Sequence, residues 1–215
     1  MEKKAEKNME LKLMVFAIQD DEKFAIEHFG PINPVDDSLI EEALKLGFKE
    51  SFAYSYSQAA KALLNWEEKD SGKSIVGGFR ILNLDHILKK LSSSNFDPKY
   101  YDDDDPILDF YVVDEFCNEA GVGIYAGKSA TNSLYYFAID ERPEYLGLDF
   151  SGYMAMLIAS RCFMYWQKAI LSIRNKTENA ETVKFKEHMP RLFSGWTWEE
   201  FIAKYESVKI EEDAF

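Results

Sequence analysis

The stretch Ile107-Leu108-Asp109-Phe110-Tyr111-Val112-Val113-Asp114 decides the fold class. It is crowded with aromatic and β-branched residues, which suit a half-buried strand. Asn118-Glu119-Ala120-Gly121 follows with turn chemistry, Gly123-Ile124-Tyr125 gives a short second strand, and Ser133-Leu134-Tyr135-Tyr136-Phe137-Ala138-Ile139-Asp140 gives a third. Strands joined by connections this short pair antiparallel, because a parallel crossover needs a dozen or more residues.

Working outward, residues 74–84 read as a further strand punctuated by Gly77-Gly78, and Asn83 or Asp85 can cap a helix over 85–91. Upstream, Pro34-Val35-Asp36-Asp37-Ser38 offers cap residues, and Leu39, Ile40, Ala43, Leu44 and Leu46 recur at helical spacing up to Gly47. A second helix is expected over 57–66, with Ala60, Leu63 and Leu64 inward, and Phe52, Tyr54 and Tyr56 alternate as on an extended segment. Residues 13–18 form a continuous apolar run that strand and helix explain equally well. Downstream, Ser151 can cap one long helix to about Asn175, with Met154, Leu157, Ile158, Cys162, Tyr165, Trp166, Ile170 and Leu171 as its apolar stripe. Thr197-Trp198-Glu199-Glu200 is a capping box for a final helix that buries Phe201, Ile202, Tyr205 and Val208. Helices on either side of an antiparallel sheet make an α+β fold.

The chain has 215 residues, enough for one large domain or one domain with appendages. The sequence suggests an N-terminal extension over 1–30, a main domain over 31–175, and a helical C-terminal extension over 176–215 packed on that domain. The formal charge is −13, and residues 101–150 account for most of it, with 2 basic against 12 acidic side chains. That balance argues against nucleic acid and anionic membrane as partners, since phosphate affinity comes from Lys and Arg. Two cysteines, Cys117 and Cys162, form no CxxC pair, and with His28, His86 and His188 they show no ligand spacing, so neither metal nor other cofactor is expected. No signal peptide or membrane span is evident, and a reducing cytoplasmic setting is expected.

Two phosphate-loop lookalikes fail. Gly72-Lys73-Ser74 would need glycine where Glu67 stands, and Gly127-Lys128-Ser129 would need it where Val122 stands. No serine sits in a nucleophile elbow, Cys162 lies on an apolar stripe, and Cys117 lies beside Asp114 and Glu115, which disfavour a thiolate. The acidic run is the feature with most to say. Asp102, Asp103, Asp104 and Asp105 are consecutive, with Asp109, Asp114, Glu115 and Glu119 following. They lack the alternating spacing of a calcium loop. They are read as a solvated loop or, more sharply, as a docking surface for a basic protein, with Asp102, Asp103, Asp104, Asp105, Asp109 and Glu115 as contact residues. A metal-dependent hydrolase using the carboxylates from Asp102 to Asp109 is the alternative from a different class. Trp196 and Trp198 read as packing staples.

Gly78-Phe79-Arg80-Ile81-Leu82-Asn83-Leu84-Asp85-His86-Ile87 resembles the strand-then-helix entry of SUKH-superfamily domains, which include yeast cell-wall-assembly regulators and many bacterial toxin-immunity proteins. Phe110-Tyr111-Val112-Val113-Asp114 and Tyr135-Tyr136-Phe137-Ala138-Ile139-Asp140 are similar to the strands of that superfamily, and residues 146–158 to its closing loop and helix. The resemblance spans about residues 37–160. It implies a twisted, mainly antiparallel sheet covered by helices, in a non-enzymatic binding domain that often neutralises a toxin by docking on it. A basic nuclease-type toxin domain is then the expected partner, and a regulatory or scaffold protein of the same fold is the variant reading. The resemblance carries over no catalytic residue.

Overall fold

The computed structural model describes residues 2–30, 37–56, 62–69, 75–90, 92, 96–139 and 141–211, with only the backbone for 2–8, 27–30 and 98. Among these residues the helices are α1 (Glu2–Gln19), α2 (Asp37–Lys45), α3 (Glu50–Tyr56), α4 (Leu84–Leu88), α5 (Phe150–Ala159), α6 (Trp166–Asn175), α7 (Ala180–Leu192) and α8 (Trp198–Val208). The strands are β1 (Phe24–Gly30), β2 (Ala62–Glu68), β3 (Val76–Ile81), β4 (Phe110–Asp114), β5 (Ala120–Tyr125), β6 (Leu134–Ala138) and β7 (Glu144–Tyr145). They form one open antiparallel sheet in the order β1-β2-β3-β4-β5-β6-β7, so the chain is α+β. Short 3-10 turns occupy Pro98–Tyr100, Pro106–Asp109 and Gly127–Ser129.

Contacts divide the chain into two compact units that interleave along the sequence. The first comprises Met1–Phe29, Leu64–Gly78 and Ser151–Lys209, and the second Gly30–Leu63, Phe79–Phe150 and Ile210–Phe215. The division into 1–30, 31–175 and 176–215 suggested by the sequence follows chain order, whereas the units join segments far apart in it.

In the second unit, β4, β5 and β6 pair as expected, with Tyr111 opposite Ile124 and Gly123 opposite Tyr135. The expected strand over 107–114 is shorter than its apolar run. Asp105 caps a 3-10 turn with Pro106 in its first position, and β4 begins only at Phe110. A register shift between Val112 and Asp114 marks a bulge in β4. Phe52 and Tyr56 are not on a strand. They lie four residues apart on α3, both buried, with ring centroids 5.3 Å apart, while Tyr54 faces outward. Positions i and i+4 share a face in either conformation, so aromatic spacing alone does not separate the two. Asn83 caps α4 as expected, its side-chain oxygen accepting the His86 N–H at 2.7 Å.

The expected helix over 57–66 is overturned by β2. Ala62, Leu64 and Trp66 are buried in alternation, a period of two that outweighs the helical reading of Leu63 and Leu64. Residues 57–61 lie outside the described residues, as do Pro34, Val35, Asp36 and Gly72-Lys73-Ser74.

In the first unit, the run over 13–18 belongs to α1. Its buried residues are Leu11, Met14, Val15 and Ile18, a helical set that starts outside the run. The expected single helix to Asn175 is broken into α5 and α6. Arg161, Cys162 and Tyr165 take positive φ values of 53°, 48° and 61°, a conformation costing ~1–2 kcal/mol per non-glycine residue. Strand hydrogen bonds offset that cost. Cys162 O accepts the Gly78 N–H at 2.7 Å, and Val76 O accepts the Met164 N–H at 3.0 Å, so the break runs as a stub beside the start of β3. Gly77 makes room for the Trp66 indole, since a Cβ there would stand 2.3 Å from it. Leu157 and Trp166 of the expected stripe are fully buried, and Ile158 is half-buried.

Sequence reading places no element over 180–192, yet α7 forms there. Asn179 caps it by accepting the Thr182 N–H at 2.8 Å, and Thr182, Phe185, Met189 and Leu192 make its buried face. Trp196 and Trp198 are packing residues, with ring centroids 5.9 Å and 5.5 Å from Phe201, and the Trp196 indole N–H donates to Ala159 O. The Thr197 hydroxyl accepts the Glu200 N–H at 3.2 Å as the capping box requires. Thr197→Ala is expected to lower stability by ~1 kcal/mol in chemical denaturation, the usual worth of such a cap.

Candidate functional site

The acidic run sits on a braced turn of the second unit. It follows the 3-10 turn Pro98–Tyr100, reverses with the Asp105 N–H donating to Asp102 O at 2.9 Å, and enters the turn Pro106–Asp109. Close to it Phe96, Phe110, Tyr125 and Phe137 form an aromatic cluster with centroids 5.0–5.8 Å apart, and the Tyr101 ring, next to Asp102, joins it edge to face on Phe96. Asp102, Asp103 and Asp104 are exposed.

Asp105 has a different role. Its Oδ1 accepts the Ile107 N–H at 2.9 Å, and both its oxygens receive the Arg142 guanidinium at 2.7 Å. The carboxylate is 13% exposed, the arginine 66%. Two parallel charge-assisted bonds fix orientation as well as supplying energy. The Arg142 hydrogen bonds hold the Asp105 carboxyl below its usual value. Arg142 also lies over the Tyr101 ring, 5.5 Å from its centroid. Burial pushes the neighbouring Tyr125 phenol up to about 12.

The other two expected contact residues lie elsewhere. Asp109 is half-buried, its carboxylate packed against Gly127 so that a Cβ there would stand 3.1 Å from an oxygen. This also disposes of the second phosphate-loop lookalike: Gly127–Ser129 is a three-residue 3-10 turn facing a carboxylate, which would repel a phosphate. Glu115 leaves the docking set, because its side chain is 4% exposed and is held by Ser92 Oγ at 2.6 Å and Arg80 Nη1 at 3.2 Å. The bulge in β4 turns the following residues toward β3, where the Asp114 Oδ1 accepts the Arg80 N–H at 2.8 Å. Burial, reinforced by the Asp114 charge, raises the nearby Tyr56 phenol well above its usual value.

Of the six expected contact residues, the turn therefore presents three to solvent together, Asp102, Asp103 and Asp104. Asp105 is taken up by Arg142 and Asp109 packs against Gly127, and no group of three or more His, Cys, Asp or Glu that could hold a metal ion is found among the described residues. Sequence reasoning missed Arg142, Tyr101 and the exposed Tyr100, which is 74% accessible. The signal for Arg142 was present, since only it and Lys128 are basic in residues 101–150. Searches against protein-family models, curated proteins and solved structures give no match to this chain. No helix among the described residues is long and apolar enough to cross a membrane.

The units sharpen the charge asymmetry. The second carries 9 basic and 22 acidic residues, a balance of −13, and the first carries 16 of each. The whole excess thus belongs to the unit that bears the acidic turn.

Arg142→Gln tests the brace. A carboxyl whose folded pKa is lowered contributes stability above its unfolded value, ~3.9, and loses it as pH falls through the folded value. Because the arginine is solvent-exposed, the variant is expected to lose less than ~1 kcal/mol at neutral pH. The difference from wild type should close in acid, as pH falls through and below the lowered folded value. Urea denaturation across pH checks it, and a difference that persists in acid would assign Arg142 another role.

Proposed function

We propose that this chain is a non-enzymatic protein-binding domain that docks a basic partner on the turn bearing Asp102, Asp103 and Asp104. One observation carries the reading: three solvated carboxylates stand side by side on a turn braced by the Arg142–Asp105 pair. Such a surface attracts cationic groups at long range without spending energy on ordering the loop first. The −13 balance of the second unit extends the attraction beyond the turn. Exposed Tyr100, with the Lys99 ammonium 4.7 Å from its ring centroid, adds an aromatic contact at the edge.

Within that class, the resemblance of residues 37–160 to SUKH domains favours an immunity protein that caps a basic, nuclease-type toxin in the bacterial cytoplasm. The test is genetic and then biochemical. A gene for a large polymorphic toxin should lie beside this one, and co-expression of this chain should restore growth to cells making that toxin's terminal domain. Absence of such a gene, or failure to rescue, would sink the immunity reading and leave regulation by the same surface.

A further inference from the structure

The first unit carries a groove of ≈ 780 Å³ between α1 and α8, within the range of ~300–1,000 Å³ for sites that enclose a small molecule. Its walls are largely apolar, with Met14, Ile18, Ile158, Phe193, Trp196 and Phe201 among them. Lys23, Arg161 and Lys204 also line it, and they differ in what they already hold. Lys23 pairs with Asp21 at 2.9 Å, and Lys204 is exposed to water. Arg161 is half-buried, and no carboxylate among the described residues pairs with it.

We propose that the groove binds a small apolar carboxylate, with its chain on the apolar wall and its head group on Arg161. A guanidinium does not give up its proton in a protein, so burial leaves a charge partly stripped of water and without a counter-ion. Burial pushes Arg161 below its usual value, and among the described residues only the Cys162 thiol acts against that. A ligand anion supplies the missing counter-charge. The side chain is also held ready for it. Arg161 Nη1 donates to Ile158 O at 3.2 Å, and the Arg161 carbonyl accepts the Trp66 indole N–H at 2.9 Å. The remaining N–H donors of the fork can make two parallel bonds to a carboxylate. The left-handed backbone of Arg161, with φ 53°, is a strained conformation of the kind that collects at ligand sites.

The lining decides the class of ligand. Glu10, Asp21 and Glu200 stand along the same groove, so a doubly charged phosphate meets more repulsion there than a singly charged carboxylate. A peptide would bring backbone N–H and C=O groups against the apolar wall without partners, whereas an aliphatic or aromatic body brings none. The first unit, with 16 acidic and 16 basic residues, sets no net field of its own against a single negative charge.

Calorimetric titration of the full chain with octanoate, 1-octanol and octylamine tests the proposal. Octanoate is expected to bind one-to-one with a Kd of about 10–1,000 μM, and the alcohol and the amine about tenfold or more weakly than that. Hexanoate, two methylenes shorter, should bind about tenfold more weakly than octanoate. Arg161→Gln should weaken octanoate about tenfold and leave octanol unchanged, while Arg161→Lys keeps part of the preference. Ala17→Trp, at an exposed position of α1 that lines the groove, should weaken both ligands. The comparison of three head groups on the unaltered chain decides the matter should a variant disturb the fold. Absence of saturable octanoate binding up to ~10 mM overturns the proposal, as does octanol or octylamine binding as tightly as octanoate. So does an Arg161→Gln variant that keeps the preference for the carboxylate. Undiminished binding to Ala17→Trp overturns it too, because the ligand then lies outside the groove.

Discussion

Trp66→Ala is expected to cost ~3–5 kcal/mol of stability, the range for truncating a fully buried large aromatic side chain. The indole is 1% exposed and packs with Phe24, Phe193 and Phe163 at centroid distances of 5.0, 5.8 and 6.4 Å. Its N–H donates to Arg161 O at 2.9 Å, at the point where the chain leaves α5 in a left-handed conformation. Truncation therefore opens a cavity and orphans a carbonyl in the segment that bridges to β3. Trp66→Phe keeps one ring but loses the hydrogen bond and part of the buried volume, so it should cost less than the alanine variant, ~1–3 kcal/mol. Denaturant unfolding measures both. A loss below ~1 kcal/mol for the alanine variant would show that the aromatic cluster does not hold the first unit together.

Replacing Asp102, Asp103 and Asp104 together with Asn is expected to slow association with a basic partner about tenfold or more at low salt. Dissociation should change much less, because rim charges act chiefly on the encounter. The deficit should shrink as ionic strength rises and the Debye length falls below ~10 Å. The fold should be unaffected, and relief of repulsion among neighbouring carboxylates can raise stability slightly. Asp105 is left in place, since Asp105→Asn would break the Arg142 pair and the turn cap and so mix a structural effect with a docking one. Stopped-flow kinetics with a cognate basic domain reads the result. An unchanged on-rate at low salt would reduce the acidic turn to a solvated loop.

The candidate site was half legible in advance. Consecutive carboxylates advertise themselves in any sequence, but their roles depend on what stands across from them. Asp-Pro at Asp105 and Pro106 is a cap signature, and reading it so would have removed Asp105 from the contact set. Nothing local marks Glu115 as interior, because its partners Arg80 and Ser92 lie 35 and 23 residues away. Arg142 is likewise 37 residues from the carboxylate it braces.

By itself the sequence determined the elements whose evidence is local. These are the antiparallel run from β4 to β6, set by apolar strands and short turns, and the starts of α4 and α8, set by Asn83 and Thr197. The tertiary structure decided the rest. Residues 62–68 became a strand because alternate burial of Ala62, Leu64 and Trp66 outweighed a weak helical pattern. The apolar stripe from Met154 to Leu171 broke at Arg161 and Cys162 because hydrogen bonds from Gly78 and Met164, together with the Trp66 indole, were worth more than two further helical turns. Periodicity records which face of a segment is apolar. Which partner satisfies that face, and where the backbone bends to reach it, is settled by residues tens of positions away.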